Sequence, residues 1–458
     1  MPVLDAIENR LNAFADFMWS TPLVVLIVGG GLALMVYSRL RPYRYFLHAV
    51  DILRGKFDKP GDPGHVPHSQ ALATALSGTI GLGNVAGVAI AISTGGPGAV
   101  FWMWVTAIVG VATKFYTASL AVMYRGTDSA GVLQGGPMYV IREALDKRWY
   151  PLAMLFALAG MVGTLPVFQA NQFVHLFRDA VSIPAGWATE ESHFWSDLIT
   201  SGTLAILAAL VIVGQITRIG KVTVKLVPSM VLLYLAVTAY VLLRHAAEVP
   251  AVFALIVTDA FSGSAVAGGA LGSVIMIGIR RGAFSNEAGI GTESMAHGAA
   301  RTDEPIREGV VAMTGPIIDT LVVCTCTALI ILLTGVWQAD GEIAGVTLTA
   351  QAMAQVLPGS GVYLLLLMVA LLSFSTIVAF WFYGAKCFGF LFGAERQHYY
   401  TPIYVSLIVL GSLVSLSVVN GLIVGMYAVM AIPTMVSTLL LAPRVNDAAV
   451  KYFAQLKK

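Results

Sequence analysis

Ser77-Gly78-Thr79-Ile80-Gly81-Leu82-Gly83-Asn84-Val85-Ala86-Gly87 sets four glycines inside one apolar stretch, residues 68–94, that otherwise reads as a single membrane-spanning helix. In hydrocarbon, an unwound backbone persists only where it is buried in protein or lines a cavity that satisfies its N–H and C=O groups. The interruption therefore marks a binding site at membrane depth.

Working outward, composition agrees with that reading. Of 458 residues, 57% are hydrophobic and only 11% charged, against about 25% charged in an average soluble domain. The chain reads as an all-α polytopic membrane protein, with the lipid bilayer as its first partner. Cys324, Cys326 and Cys387 all lie in apolar segments and are expected to be small packing residues, since no disulfide or metal spacing is present. The net charge of +2 is spread over short loops, so no nucleic-acid partner is expected. Residues 1–19 carry Asp5, Glu8 and Asp16 without a basic start, which is unlike a cleavable signal peptide. There is no Gly-rich Lys-Ser/Thr nucleotide motif, no nucleophile–base pair and no metal triad. An ATP-driven pump and an enzyme are both disfavoured, and no cofactor is expected beyond a coupling ion.

Apolar stretches of about 17 residues or more number eleven, near 22–39, 68–94, 97–124, 149–179, 197–217, 222–244, 251–282, 307–337, 360–393, 400–419 and 421–442. If the chain starts outside, every Lys and Arg falls on the inner side except Arg10, Arg178, Arg244 and the intramembrane Lys114. Arg280 and Arg281 are counted on the inner side. The positive-inside rule then predicts an external N-terminus and a cytoplasmic C-terminus in the cell membrane. Setting the first span aside leaves ten, and a Gly-interrupted span opens each half: residues 78–87 in the second, and Phe261-Ser262-Gly263 with Gly268-Gly269-Ala270-Leu271-Gly272 in the seventh. Five is odd, so the second copy enters the membrane inverted. The expected organisation is an N-terminal helix and linker (1–66), a first repeat (67–245), an inverted repeat (250–442) and a cytoplasmic tail (443–458). Such proteins are secondary transporters that bind cargo where two broken helices meet. The glycines also admit a plainer reading, close packing between helices.

Gly95-Gly96-Pro97-Gly98-Ala99-Val100-Phe101-Trp102-Met103-Trp104-Val105-Thr106-Ala107-Ile108-Val109-Gly110 resembles the signature of the alanine/glycine:cation symporter family, also called sodium:alanine symporters. Gly81-Leu82-Gly83-Asn84, Gly135-Gly136-Pro137-Met138-Tyr139, Phe284-Ser285-Asn286-Glu287-Ala288-Gly289 and Asp319-Thr320-Leu321-Val322-Val323-Cys324 resemble further blocks of that family, and the similarity runs from about residue 66 to 442. Gly291-Thr292-Glu293-Ser294 departs from the usual pattern of a small residue, Ala and Pro. The resemblance implies the leucine-transporter type of fold, five plus five inverted helices after one extra N-terminal helix. It also implies a small zwitterionic amino acid lying against the break in span 2, flanked by spans 4, 7 and 9.

Thr79, Gly81, Gly83 and Asn84 are the expected partners of the substrate's charged ends. In span 4, Gln169, Asn171 and Gln172 set three amides in four residues. An unpaired buried amide costs roughly 2–7 kcal/mol, so Gln169 and Gln172 are candidates for the substrate, with helix-to-helix bonding as the alternative. Met276, Ile277 and Trp381 are candidates for the side-chain pocket. The local sequence around the break and along Ser373-Phe374-Ser375-Thr376 offers hydroxyls and carbonyls but no carboxylate, a set of hard neutral oxygens that suits sodium. The resemblance implies a sodium site formed near Gly78 and Gly81 together with Ser375 and Thr376, and Ser373 is a further possibility. Hydroxyls in helices also back-bond to their own turn.

Intramembrane charges are functional candidates by default. Asp319 falls about 18 Å into span 8, from 12 residues at 1.5 Å each. It is read as an ion sensor, a proton shuttle or a structural group. Asp259 is read as a gating residue or a solvated vestibule group, and Lys114 as snorkelling to the cytoplasmic face. His65 and His68 suggest an interfacial loop, and Glu287 and Glu293 a cytoplasmic gate or a surface ion-pair network with Arg281, Arg301 and Arg307. The expected function is sodium-coupled import of alanine or glycine. Proton coupling, serine or glutamine as cargo, and a channel or transport-dead sensor remain as alternatives.

Overall fold

A computed structural model of the chain describes residues 2–59, 61–261, 270–338 and 345–456. The described chain is almost wholly helical, with one short strand pair, Gly126–Thr127 against Leu133–Gln134. The main helices are α1 (Pro2–Met18), α2 (Thr21–Tyr37), α3 (His68–Thr79), α4 (Gly83–Gly95), α5 (Gly98–Met123), α6 (Lys147–Ser182) and α7 (Phe194–Ile212). They continue with α8 (Gln215–Arg244), α9 (Val249–Ala260), α10 (Ala270–Asn286), α11 (Pro305–Thr334), α12 (Val346–Val356), α13 (Gly361–Phe392), α14 (Tyr400–Ser412) and α15 (Leu416–Gln455). Among the described residues, seven helices are long and apolar enough to cross a membrane. The number rises to nine if the bent pairs, one leading into α2 and the other α3 with α4, each form one span. The helix α12 and the helix α1 fall where the hydropathy pattern predicts connecting segments.

The broken span is present where the glycines place it. The helix α3 ends at Thr79 and α4 leaves at an angle of 47°. The Gly81 N–H donates to the Asn84 Oδ1 at 2.9 Å and to the Thr79 carbonyl at 3.0 Å, so a side chain joins the backbone in satisfying the unwound turn. The first turn of α4, Gly83–Gly87, is wound one residue wider than an α-helix, a distortion found mostly at functional sites.

α5 is the axis of the bundle: 89% of its apolar window is buried, against 33% for α7 and for α8, which lie at its outside. α10 runs parallel to it. Gly278 lies against Ala99 and Trp102, Gly282 against Met103 and Thr106, and Ala288 against Gly110. A Cβ at Gly278 would come 2.5 Å from the Ala99 carbonyl oxygen, so glycine is what lets the backbones meet.

This parallel course moves the second break. The expected interruption at residues 261–272 lies largely outside the described residues, but the chain beyond Gly282 does not leave the bundle as a loop. Residues 283–300 are all buried, with Thr117 bonded to Glu293 at 3.3 Å and Arg125 to the Gly298 carbonyl at 2.8 Å. The path therefore continues beside α5 to its far end: α10 stops at Asn286, an irregular stretch follows, and a short helix, Ser294–His297, resumes. Glu287 adopts a left-handed φ of 55° at this break. Hydropathy ended the span early because Arg280 and Arg281 read as its inner flank. Both are instead held at the Gly98 end of the bundle, Arg280 by Asp16 at 2.7 Å and Arg281 by Asn420 at 3.4 Å, at the opposite end from Arg125, with which the sequence reading groups them.

Candidate functional site

The two breaks meet. A Cβ on Gly83 would lie 3.5 Å from Ser285 Cα and 3.6 Å from the Phe284 ring, so the first unwound turn packs on the residues just before the second. Asn84 joins them to α11. Its Nδ2 donates to the Asp319 carboxylate at 2.6 Å and to the Asp319 carbonyl at 3.1 Å. Ser285 and Thr320 donate to the other carboxylate oxygen at 2.9 and 2.6 Å. Asp319 is wholly buried with three donors on its carboxylate, as a carboxyl group at this depth must be. The local sequence offers no carboxylate to the break, yet folding brings Asp319 directly onto it. Cys324 also joins this network, its sulfur 3.3 Å from Asn84 Nδ2 and 3.1 Å from Ser285 Oγ, so it is more than a packing residue. The Thr327 hydroxyl donates to the Asn84 carbonyl at 2.7 Å and lies 2.5 Å from the Tyr234 hydroxyl.

α13 closes the other side of the first break. Ser77 Oγ donates to the Ser375 carbonyl at 2.7 Å, and Thr376 Oγ1 donates to the Ser77 and Leu372 carbonyls, each at 2.9 Å. A Cβ on Gly81 would fall 2.5 Å from Thr376 Oγ1, so Gly81, Ser77, Ser375 and Thr376 form one oxygen-rich contact. Phe380 and Tyr383 pack at Gly78. The buried Ser373 hydroxyl has no partner among the described residues. Neutral hydroxyl and carbonyl oxygens in this density fit a hard monovalent cation and offer nothing to a soft metal.

Of the span 4 amides, Asn171 donates to the Val414 carbonyl at 2.7 Å, and Gln172 accepts from Val346 N–H at 3.3 Å. They tie α6 to the turn before α15 and to the start of α12. Gln169 is 5% exposed, and its Oε1 has no partner among the described residues. Thr79 turns its hydroxyl to the Leu76 carbonyl at 3.4 Å.

Three candidates lie away from the break. Ile277 packs against Gly95, and Met276 beside it is half-buried. They stand seven and eight residues before Phe284, about 10–12 Å along the helix. Trp381 donates to Thr401 at 3.3 Å and lines a separate cavity of about 290 Å³ with Lys386, Gln215 and Gln397. The aromatic groups at the break are instead Phe284 with Phe168 and Tyr427, their ring centroids 5.8 and 5.2 Å away. A larger groove of about 720 Å³, between Phe177, Trp195 and Phe374, has no charged residue in its wall.

The remaining charges are also resolved. Asp259 accepts the Gly98 N–H at 2.7 Å and so caps α5. Lys114 is 1% exposed and packs beside Gly315, so it does not snorkel. Glu287 and Glu293 are buried, and neither forms an ion pair with Arg281, Arg301 or Arg307 among the described residues. The Tyr427 hydroxyl donates to Glu287 at 2.9 Å, and Thr292 also bonds it. His65 bonds the Leu133 carbonyl, whereas His68 pairs with Glu308.

Phe284, Ser285, Tyr427 and Thr327 escaped the sequence reading as site residues. For Phe284 and Ser285 a signal existed in the block 284–289, but hydropathy placed that block in a loop.

Comparison with known proteins adds the relationships. The family model described as the sodium:alanine symporter family matches residues 4–458. The chain is 38% identical to an uncharacterized transporter of Haemophilus influenzae, over 98% of this chain and 97% of that one. It is 35% identical to the sodium/alanine symporter AgcS of Methanococcus maripaludis, over 98% of both. Its structure resembles that of MhsT in complex with L-phenylalanine, with a TM-score of 0.60 at 13% identity, covering 85% of this chain and 99% of that one. That likeness shows a shared fold.

Proposed function

The chain belongs to the sodium:alanine symporter family, and we propose that it imports a small neutral amino acid, alanine or glycine, together with sodium by alternating access. The leucine-transporter-type reading goes with this: eleven spans, two inverted five-helix repeats, the N-terminus and the Gly98 end outside, the Met123 end and C-terminus in the cytoplasm. Meeting of two broken helices is the expected consequence of such a repeat. The relative AgcS, a sodium/alanine symporter by name, supports the cargo and the ion.

The observation that carries the reading is the contact of Gly81 and the Ser77 carbonyl with Ser375 and Thr376. In it sodium would be held by neutral oxygens from α3 and α13, one element from each half. Gly81, Gly83 and Gln169 then face the amino acid, and Phe284, Phe168 and Tyr427 limit its side chain to a methyl group or hydrogen. Moving one positive charge inward gives about 2.3 kcal/mol per 100 mV, or about 50-fold accumulation of a neutral cargo.

A proton-coupled reading is favoured by one observation, the buried Asp319 carboxylate bonded to Asn84. Alanine uptake into proteoliposomes separates the two. An inward sodium gradient should drive accumulation, and Thr376→Ala should lower it more than tenfold. Uptake driven by a proton gradient alone would overturn the sodium assignment.

A further inference from the structure

Both broken spans end, at the Met123 end of the bundle, on one carboxylate. His68 opens α3, the inner half of the first broken span, and its Nδ1 bonds Glu308 Oε2. His297 closes the short helix Ser294–His297, the inner half of the second, and its Nδ1 lies 2.6 Å from Glu308 Oε1. Glu308 sits in the first turn of α11. All three are out of water, at 2%, 1% and 0% exposure. Sequence gave no hint of this, because His297 and Glu308 are far from His68 in the chain.

The same place is laced by backbone. His65 and Val66 donate to the Ala299 carbonyl at 2.9 and 3.2 Å, Arg301 to the Val66 carbonyl at 2.7 Å and Thr302 to the Pro63 carbonyl at 3.0 Å. Arg125 bonds the carbonyls of Pro63, Gly298, Ala300 and Thr302. Gly298 is pressed on Gly135, where an added Cβ would lie 2.7 Å from the Gly135 Cα. This end of the path is therefore shut, and the segments that shut it are the ends of the two helices that carry the site.

We propose that His68, Glu308 and His297 form a proton-binding latch that holds the cytoplasmic ends of both broken helices closed. Each carboxylate oxygen takes one imidazole N–H, so both rings keep their bonds whether neutral or protonated. Protonating a ring adds the attraction of opposite charges to its bond with the Glu308 carboxylate. Imidazole ordinarily titrates between pH 5 and 8. Opening separates His68 from the Glu308 carboxylate, so the closed latch binds the His68 proton more tightly than the open one; its extra stability is present at low pH and is lost as pH rises through the closed-state range of that ring. The charged and titratable groups facing the cluster are Asp58 from the linker, Arg307 from the turn of Glu308, and Arg125 beyond α5; His48 stands behind Arg307. Burial draws the Arg125 guanidinium down to about 10, so it stays charged throughout this range and does not share the titration. A more alkaline cytoplasm would release the latch and favour discharge of cargo.

The inference rests on the alternating-access reading, and its test needs neither cargo nor sodium. Hydrogen exchange of the full chain in lipid nanodiscs, read by mass spectrometry, reports the amides of residues 61–70 and 298–304. After correction for the intrinsic pH dependence of exchange, opening at these segments should be about fivefold rarer at pH 6 than at pH 8. The double variant His68→Asn/His297→Asn, which keeps an N–H donor at each Nδ1 position without a titratable ring, should remove that difference, and so should the single His68→Asn. Equal protection at both pH values in the natural chain would overturn the latch, as would an unchanged pH dependence in either variant. If the double variant does not fold, the natural chain and the single variant decide. Sodium-driven uptake alongside a pH-independent exchange pattern would refute the latch and leave the transport reading intact.

Discussion

Gly81 shows most directly what a single residue does here. Its missing side chain is the space in which Thr376 Oγ1 sits, since a Cβ would come 2.5 Å from that oxygen. Thr376 is β-branched, with little freedom to swing its hydroxyl aside. Gly81→Ala should therefore lower sodium-driven alanine uptake more than tenfold, through overpacking that costs about 1–3 kcal/mol. Gly87, six residues on, has no atom within 4 Å of an added Cβ among the described residues. Gly87→Ala should retain uptake within twofold in the same assay. The glycine-interrupted stretch was readable from the order of residues alone, and Asp319 stood out there as a carboxyl group inside an apolar span. What could not be read was that the carboxylate would face Asn84, because the pairing depends on α11 packing beside the first break, across 235 positions of chain.

Among the helices, α10 carries the main difference between sequence and structure. Polar residues at its end, Ser285 and Asn286, and the paired Arg280 and Arg281 bring the hydropathy signal to a close too soon. Each has a partner that hydropathy does not see: Asp319, Thr320, Asp16 and Asn420 respectively. A buried polar residue that is fully bonded looks the same in sequence as one in a loop. The same applies to Asp259, whose carboxylate receives the first N–H of α5. An anion at a helix N-terminus stabilises both the orphan donors and the dipole. Asp259→Ala should lower stability by about 0.5–2 kcal/mol, seen as a drop in melting temperature, while the KM for alanine stays within twofold. Asp259→Asn should restore most of the loss. A raised KM with unchanged melting would return Asp259 to a gating role.

On the scale of the whole molecule, one oxygen-rich contact joins α3 to α13, and one carboxylate network joins α4 to α10 and α11. In the proposed reading, cation and cargo share the first discontinuous span, so binding either should pre-order the site for the other. Such coupling is reciprocal: sodium must raise alanine affinity by the factor by which alanine raises sodium affinity. Typical coupling amounts to 5–150-fold. The most direct measurement is the alanine Kd of the purified chain, titrated at rising sodium with choline holding ionic strength fixed. The Kd should fall at least fivefold in the natural chain and in Gly87→Ala, and stay flat in Thr376→Ala. An alanine Kd independent of sodium in the natural chain would contradict the account.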